Sequence, residues 1–182
     1  MYFKQYMGAL CSQKMREPQW VQWIHHSEGG SHCQVCLMLD RCLFMAGKTP
    51  PCPHHPNCHC TLEPVDYAIV SMLISAYSDC SKFDPYLFNT NGKYTHGKEK
   101  MFAQWGYTAI DAKWLQSEME RQAMEKYRNG NYNLGKLDAF GQRLNIRIEI
   151  PRKDGSGIVS FLSGWMVEPN GKLKLNTPYG GK

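Results

Sequence analysis

Residues 145–182 read NIRIEIPRKDGSGIVSFLSGWMVEPNGKLKLNTPYGGK, and this stretch decides the fold class. Ile146, Ile148 and Ile150 alternate with Asn145, Arg147 and Glu149, a period of two that belongs to a half-buried strand. PRKDGSG then supplies Pro, Asp and Gly for a turn. Ile158 to Val167 forms the next strand, Glu168-Pro-Asn-Gly171 the next turn, and Lys172 to Thr177 a third strand with Leu173, Leu175 and Thr177 on one face. Consecutive strands joined by tight turns predict an antiparallel meander.

Upstream the period changes to that of a helix. From Ile110 onward, Leu115, Met119, Ala123 and Tyr127 recur four residues apart, Asp111 stands at the entry, and Asn129-Gly130 supplies the stop. A shorter helix is expected from His96 or Gly97 to just before Gly106. The stretch SKFDPYLFNTNGKYTHGKEKMF, residues 81–102, brings Pro, Asn and Gly together and reads as turns. Residues 65–80, VDYAIVSMLISAYSDC, have helix-compatible spacing. Helices followed by a meander make an α+β fold. The expected organisation is a metal-binding module over 1–64, a linking helix over 65–80 and an α+β domain over 81–182.

Charge divides the chain in the same way. Residues 1–80 carry five Lys+Arg against six Asp+Glu, whereas 81–182 carry sixteen against ten, within a total of +5. A basic second half suits an anionic partner such as RNA, DNA or an acidic protein. The longest mainly apolar stretch, Tyr67 to Tyr77, falls well short of the roughly 20 residues needed to cross a bilayer, and Met1 to Leu10 lacks a continuous signal-peptide core. The expectation is a protein that neither spans a membrane nor follows the ordinary secretory route.

All eight cysteines and six of the seven histidines lie in residues 1–80, most of them in CQVCLMLDRCLFMAGKTPPCPHHPNCHC, residues 33–60. A reducing compartment makes metal the better reading than a disulfide framework. Cys33 and Cys36 form a C-x2-C knuckle, and Cys58 and Cys60 a C-x-C preceded by His55. Two such separated pairs suit tetrahedral Zn²⁺, whose binding free energy folds segments too small for their own apolar core. Five donors compete for four places on one closed structural ion: Cys33, Cys36, Cys60 and His55 come first, with Cys58 as the substitute for His55. Cys42, Cys52, His54 and His59 are weaker candidates, and Cys11 and Cys80 read as isolated thiols.

The run from Trp20 to Glu63, with WVQWIHH, the C-x2-C and P-HHPNCHCTLEP, resembles the C-terminal end of the phage Mu protein F-like head morphogenesis family. That family carries a C-x2-C followed by an HPNCRC-type cluster; here His59 stands where arginine is usual. The resemblance implies a phage or prophage origin and a role near capsid or portal components.

No Walker loop, GxGxxG, GxSxG or kinase signature is present. Metal-independent RNA cleavage leaves a different trace: a base for the 2′-hydroxyl, an acid for the leaving 5′-oxygen, and cations or hydroxyls around the phosphorane. Groups able to serve are His96, Lys98, Arg147, Glu149, Ser163, Trp165, Thr177 and Tyr179. Each has an ordinary reading too. Lys98 and Lys100 can be a polar helix face, Arg147 and Glu149 a cross-strand ion pair, Trp165 core, and Thr177 and Tyr179 the cap of a sheet.

KFDPYLFN, HGKEKMFAQWGY, GWMVEPNG and LKLNTPYGG resemble the toxin-like domains of the barnase, EndoU, colicin and RelE (BECR) nuclease superfold. That resemblance implies helices followed by a four-stranded antiparallel sheet, endoribonuclease activity, and active-site contributions from the Lys98 region, Trp165 and Thr177. The expected partner is RNA or a host nucleic-acid-processing protein, in the cytoplasm of an infected bacterium or with the virion. The competing reading is a non-catalytic, zinc-stabilised phage protein that blocks a host factor or attaches to a virion component.

Overall fold

The computed structural model describes residues 19–27 and 33–181; Cys11 and the first eighteen residues of the expected metal module lie outside them. Strand β1 (Trp20–Ile24) is the centre of a three-stranded sheet, antiparallel to β2 (Leu43–Met45) on one side and β3 (Thr61–Val65) on the other. Helix α1 (Gln34–Leu39) lies between β1 and β2 in the chain and buries Cys36 and Leu39. Helix α2 (Tyr67–Leu73) is entered through Asp66, whose carboxylate accepts the Ala68 N–H at 2.7 Å, an N-cap bond that satisfies one orphan donor.

The second sheet has five strands in the order β4-β8-β7-β6-β5. Strands β5 (Asn133–Asp138), β6 (Gly141–Pro151), β7 (Ile158–Glu168) and β8 (Lys172–Gly181) form the antiparallel meander. Strand β4 (Ser75–Tyr77) pairs in parallel with the start of β8, Ser75 facing Lys172. Leu144, Ile146, Ile148 and Ile150 of β6 are fully buried and share a face with Phe161, Ser163, Trp165, Leu173 and Leu175. Across that face runs α4 (Ala112–Arg128), which presents Leu115, Met119, Ala123 and Tyr127 to it, the Leu and Met side chains each worth about 1.5–3 kcal/mol on full burial. Buried Gln122 fixes the register of helix on sheet. Its amide donates to Glu149 O at 2.6 Å and its carbonyl accepts the Glu149 N–H at 3.0 Å.

The two sheets share one core. The Trp20 and Tyr127 rings meet edge to face at 5.2 Å, Tyr127 donates its hydroxyl hydrogen to Leu43 O, and the Met45 N–H donates to Tyr132 Oη at 3.0 Å. Gly130, which ends α4 at φ +68°, sits so close to β2 that an added Cβ would lie 2.3 Å from Met45 Sδ. The backbone geometry therefore favours glycine there, and a side chain would have to push the flexible Met45 thioether aside.

The α+β class, the meander and the two helices near residues 98 and 112 follow the sequence pattern, α3 running over Lys98–Gln104. Three features differ. The helix expected over 65–80 stops at Leu73, because residues 75–77 join the second sheet as β4. That sheet consequently begins before residue 81, and it has five strands where the resemblance implied four. Cys33–Cys60 is also more than a metal loop, since β1, β2 and β3 surround it with a small sheet.

Candidate functional site

Two groups of chemistry-bearing side chains are assembled. The first lies where the loop between β2 and β3 meets the start of α1 and the end of β1. The turn His55-Pro56-Asn57-Cys58 is closed by the Cys58 N–H donating to His55 O at 3.1 Å, with Asn57 at φ +62°. Asn tolerates that left-handed conformation better than most residues, which is why the turn carries it. His55 Nδ1–H donates to Pro56 O at 2.7 Å, so Nε2 is left bare and lies 3.4 Å from Cys36 Sγ. Cys36 Sγ is 3.7 Å from Cys58 Sγ. The ligand atoms of Cys33, Cys36 and His55 lie within 4.8 Å of one another, and so do those of Cys36, Cys58 and Cys60. All of these cysteines are free thiols.

The donor set fits a metal ion. Soft thiolates and a neutral imidazole converge on a small cavity also lined by His25, His26 and His59. The thiols differ in acidity. The Cys36 amide directed at Cys33 lowers its pKa, and burial raises those of Cys36 and Cys60. Burial opposes ionisation of Cys58 too, yet backbone hydrogen bonds, chiefly at His54 and Cys60, outweigh it and bring the group to about 7. All five sequence-derived ligands are here, and Cys58 takes its own place beside Cys60 instead of substituting for His55. Of the weaker candidates, Cys42 is core, its thiol pushed up to about 12 by burial, and Cys52 donates to Cys60 O at 3.3 Å. Sequence reasoning missed His25, whose Nδ1 is 3.5 Å from Cys60 Sγ.

The second group surrounds the start of α3. Gly97, at φ +67°, caps the helix in a conformation that favours glycine, and Lys98 follows as its first residue. Lys98 Nζ donates to Tyr86 Oη at 2.9 Å and to Thr177 Oγ1 at 3.0 Å, and the Thr177 hydroxyl donates onward to Tyr179 O at 3.1 Å. An ammonium has three donors, so one remains for an incoming anion. His96 Nδ1 accepts the Lys98 N–H at 3.1 Å, which leaves Nε2 as the protonated nitrogen, donating to Tyr86 O at 3.0 Å. Tyr94 stacks on His96 at 5.6 Å, and Tyr86 meets both rings edge-on. Glu99 places a buried carboxylate oxygen 3.5 Å from His96 Nδ1, without a hydrogen-bond partner among the described residues.

His96, Lys98 and Thr177 therefore come together, and Arg147 and Trp165 bond to other partners. Trp165 is fully buried between Leu144 and Leu175, its Nε1–H donating to Ser163 Oγ at 2.7 Å. Arg147 alternates with the inward Ile146 and Ile148, and its guanidinium is taken up by Ser160, donating to Oγ at 3.0 Å. A register shift between Leu175 and Thr177 brings Thr177 opposite Gly164, so it leaves the face that Leu173 and Leu175 share with Trp165. Tyr86, Tyr94 and Glu99 escaped the sequence reading. The only hint was aromatic residues and a histidine set among Pro, Asn and Gly in residues 85–97.

A family model described as a domain of unknown function (DUF6883) matches residues 73–182, more than half of the chain. The chain belongs to the DUF6883 family. The DUF6883 match takes in the whole five-stranded sheet together with Tyr86, His96, Lys98 and Thr177, and it begins after the cysteine cluster. No curated protein and no solved structure matches the chain. Among the described residues, no helix is long and apolar enough to cross a membrane.

Proposed function

We propose that residues 73–182 form a metal-independent endoribonuclease and that the cysteine cluster beside them holds zinc in a structural role. The observation that carries the first half is the convergence on Lys98 of the Tyr86 and Thr177 hydroxyls, with His96 adjoining. In this reading the third Lys98 proton is donated to a non-bridging phosphate oxygen and steadies the charge that builds on the phosphorane. The RNA 2′-hydroxyl loses its proton and its oxygen attacks phosphorus, the bond to the 5′-oxygen breaks, and that oxygen takes up a proton. The products are a 2′,3′-cyclic phosphate and a 5′-hydroxyl. His96 is the proton carrier, released for the work when RNA displaces its contact with the Tyr86 carbonyl. Trp165 holds the sheet beneath, and Arg147, bonded to Ser160, is given no step. The resemblance of residues 20–63 to Mu F-like proteins supports a phage or prophage origin, and with it cellular RNA of an infected bacterium as the substrate.

The test is cleavage of single-stranded RNA by the purified chain in EDTA concentrations too low to strip the structural metal, with the product ends identified by mass. Lys98→Met and Thr177→Ala should lower the rate about 10²-fold or more with the fold intact. Absence of cleavage on every RNA tried, or an activity indifferent to Lys98→Met, would overturn the assignment. One feature favours a binding protein instead: a groove lined by Lys82, Arg143, Lys174, Glu168 and Phe140, the last 69% exposed. RNA retention without cleavage, lost on Lys82→Glu or Lys174→Glu, would establish that reading.

A further inference from the structure

The metal cluster has more donors than one ion can use. With metal–sulfur and metal–nitrogen bonds of about 2.3 Å and 2.0 Å, a tetrahedral ion spaces its ligand atoms roughly 3.8 Å apart for S···S and roughly 3.5 Å for S···N. Three pairs already stand at those spacings: Cys36 with Cys58 at 3.7 Å, Cys36 with His55 at 3.4 Å, and Cys60 with His25 at 3.5 Å. They engage five different side chains, and Cys33 brings a sixth donor within reach of Cys36 and His55. The two compact triads, Cys33/Cys36/His55 and Cys36/Cys58/Cys60, overlap in Cys36 alone.

We propose that the cluster binds two zinc-type ions in tetrahedra sharing the Cys36–Cys58 edge, with Cys33 and His55 completing one and Cys60 and His25 the other. The proposal rests on the zinc reading above and extends it to the ion count and to His25. Six donors are the number that two edge-sharing tetrahedra require. Charge agrees. Four thiolates and two neutral imidazoles balance two divalent cations, whereas one ion on four thiolates leaves a double negative charge around Cys36 and Cys60, which are 1% and 8% exposed.

His25 supplies an independent observation. Its backbone N–H donates to Asp40 Oδ1 at 2.9 Å, which fixes the chain as it leaves β1 beside the end of α1. Its ring makes no hydrogen bond among the described residues except the contact with Cys60 Sγ, and Nε2 is buried without a partner. No other polar group in the described structure accounts for an imidazole held against that thiol.

The experiment uses the full chain, expressed in zinc-supplemented medium and purified without chelator, with metal and protein quantified together and a second sample exchanged into ¹¹³Cd. Two zinc per chain are expected, with two cadmium resonances coupled to each other through the bridging sulfurs. His25→Gln should reduce the content from two ions to one and leave the DUF6883 region folded. One ion per chain would overturn the inference and leave the zinc reading standing. No metal at all would overturn the zinc reading itself. Two uncoupled resonances would rule out the shared thiolates, and two coupled ions surviving in His25→Gln would remove His25 from the ligand set.

Discussion

Gly130→Ala tests whether the small sheet and the DUF6883 region are one cooperative unit. The substitution forces a side chain into a left-handed conformation, at about 1–2 kcal/mol. It also brings a methyl group against Met45 Sδ and Cε, the far end of a flexible side chain that must turn aside at an off-rotamer cost of about 0.5–1.5 kcal/mol. Together these predict a loss of about 1.5–3.5 kcal/mol, and the second part resides in a contact that can be removed separately. Met45→Ala takes away the thioether, so the double variant should keep the conformational penalty and lose the clash. The expected coupling between the two substitutions is therefore about 0.5–1.5 kcal/mol in the favourable direction. Urea unfolding followed by tryptophan fluorescence, at one fixed zinc concentration, measures all four proteins, with Trp20 and Trp23 reporting the small sheet and Trp165 the large one. A Gly130→Ala loss below about 1 kcal/mol, or additivity within about 0.5 kcal/mol, would refute the packing argument.

Trp165→Phe should lower stability through the lost Ser163 bond and smaller ring, while RNA cleavage per folded molecule stays unchanged; a specific loss of rate would return Trp165 to the site. Asp111→Asn should cost about 1–2 kcal/mol at neutral pH, since Asp111 accepts the Thr108 N–H in a capping box and pairs with Lys153. Burial opposes ionisation of Asp111, but the bonds from Lys153 and Thr108 outweigh it, so its pKa lies below 3.8; its contribution is full above that value and disappears as acid takes the pH through the folded pKa. The gap between Asp111→Asn and the parent in urea midpoints should accordingly close in acid. In the native protein at pH 8, iodoacetamide should modify exposed Cys80 and spare Cys42, whose thiol is buried and raised to about 12; peptide mapping reads both.

The legible parts of the fold were those whose apolar residues obey a single period. Leu115, Met119, Ala123 and Tyr127 announce α4, and Ile146, Ile148 and Ile150 announce β6, because each segment buries one face. Strand β5 gives no such signal, as Leu134 and Leu137 straddle a register shift and none of its residues is fully buried. Strand β4 looks helical because its three residues continue the apolar run of α2, and only its distant partner in β8 makes it a strand. Metal donors were readable from spacing within the Cys33–Cys60 segment. His25 was not, since the antiparallel pairing of β1 with β3, Ile24 opposite Thr61, is what carries it to Cys60. Likewise Lys98 could be singled out, but its dependence on Tyr86 lies in how the 82–97 loop folds back.

The last strand to be synthesised in the described structure is not an edge strand. Strand β8 lies between β4 and β7, and Thr177 on it completes the cradle of Lys98. While the chain is still emerging from the ribosome, β4 has no neighbour, β7 shows an open hydrogen-bonding edge, and the Lys98 ammonium lacks one of its two hydroxyl partners. A nascent chain arrested before residue 172 would therefore carry every other element of the site and still lack its assembled form. Assembly of the constellation thus waits on translation: it is complete only once this interior strand has been delivered.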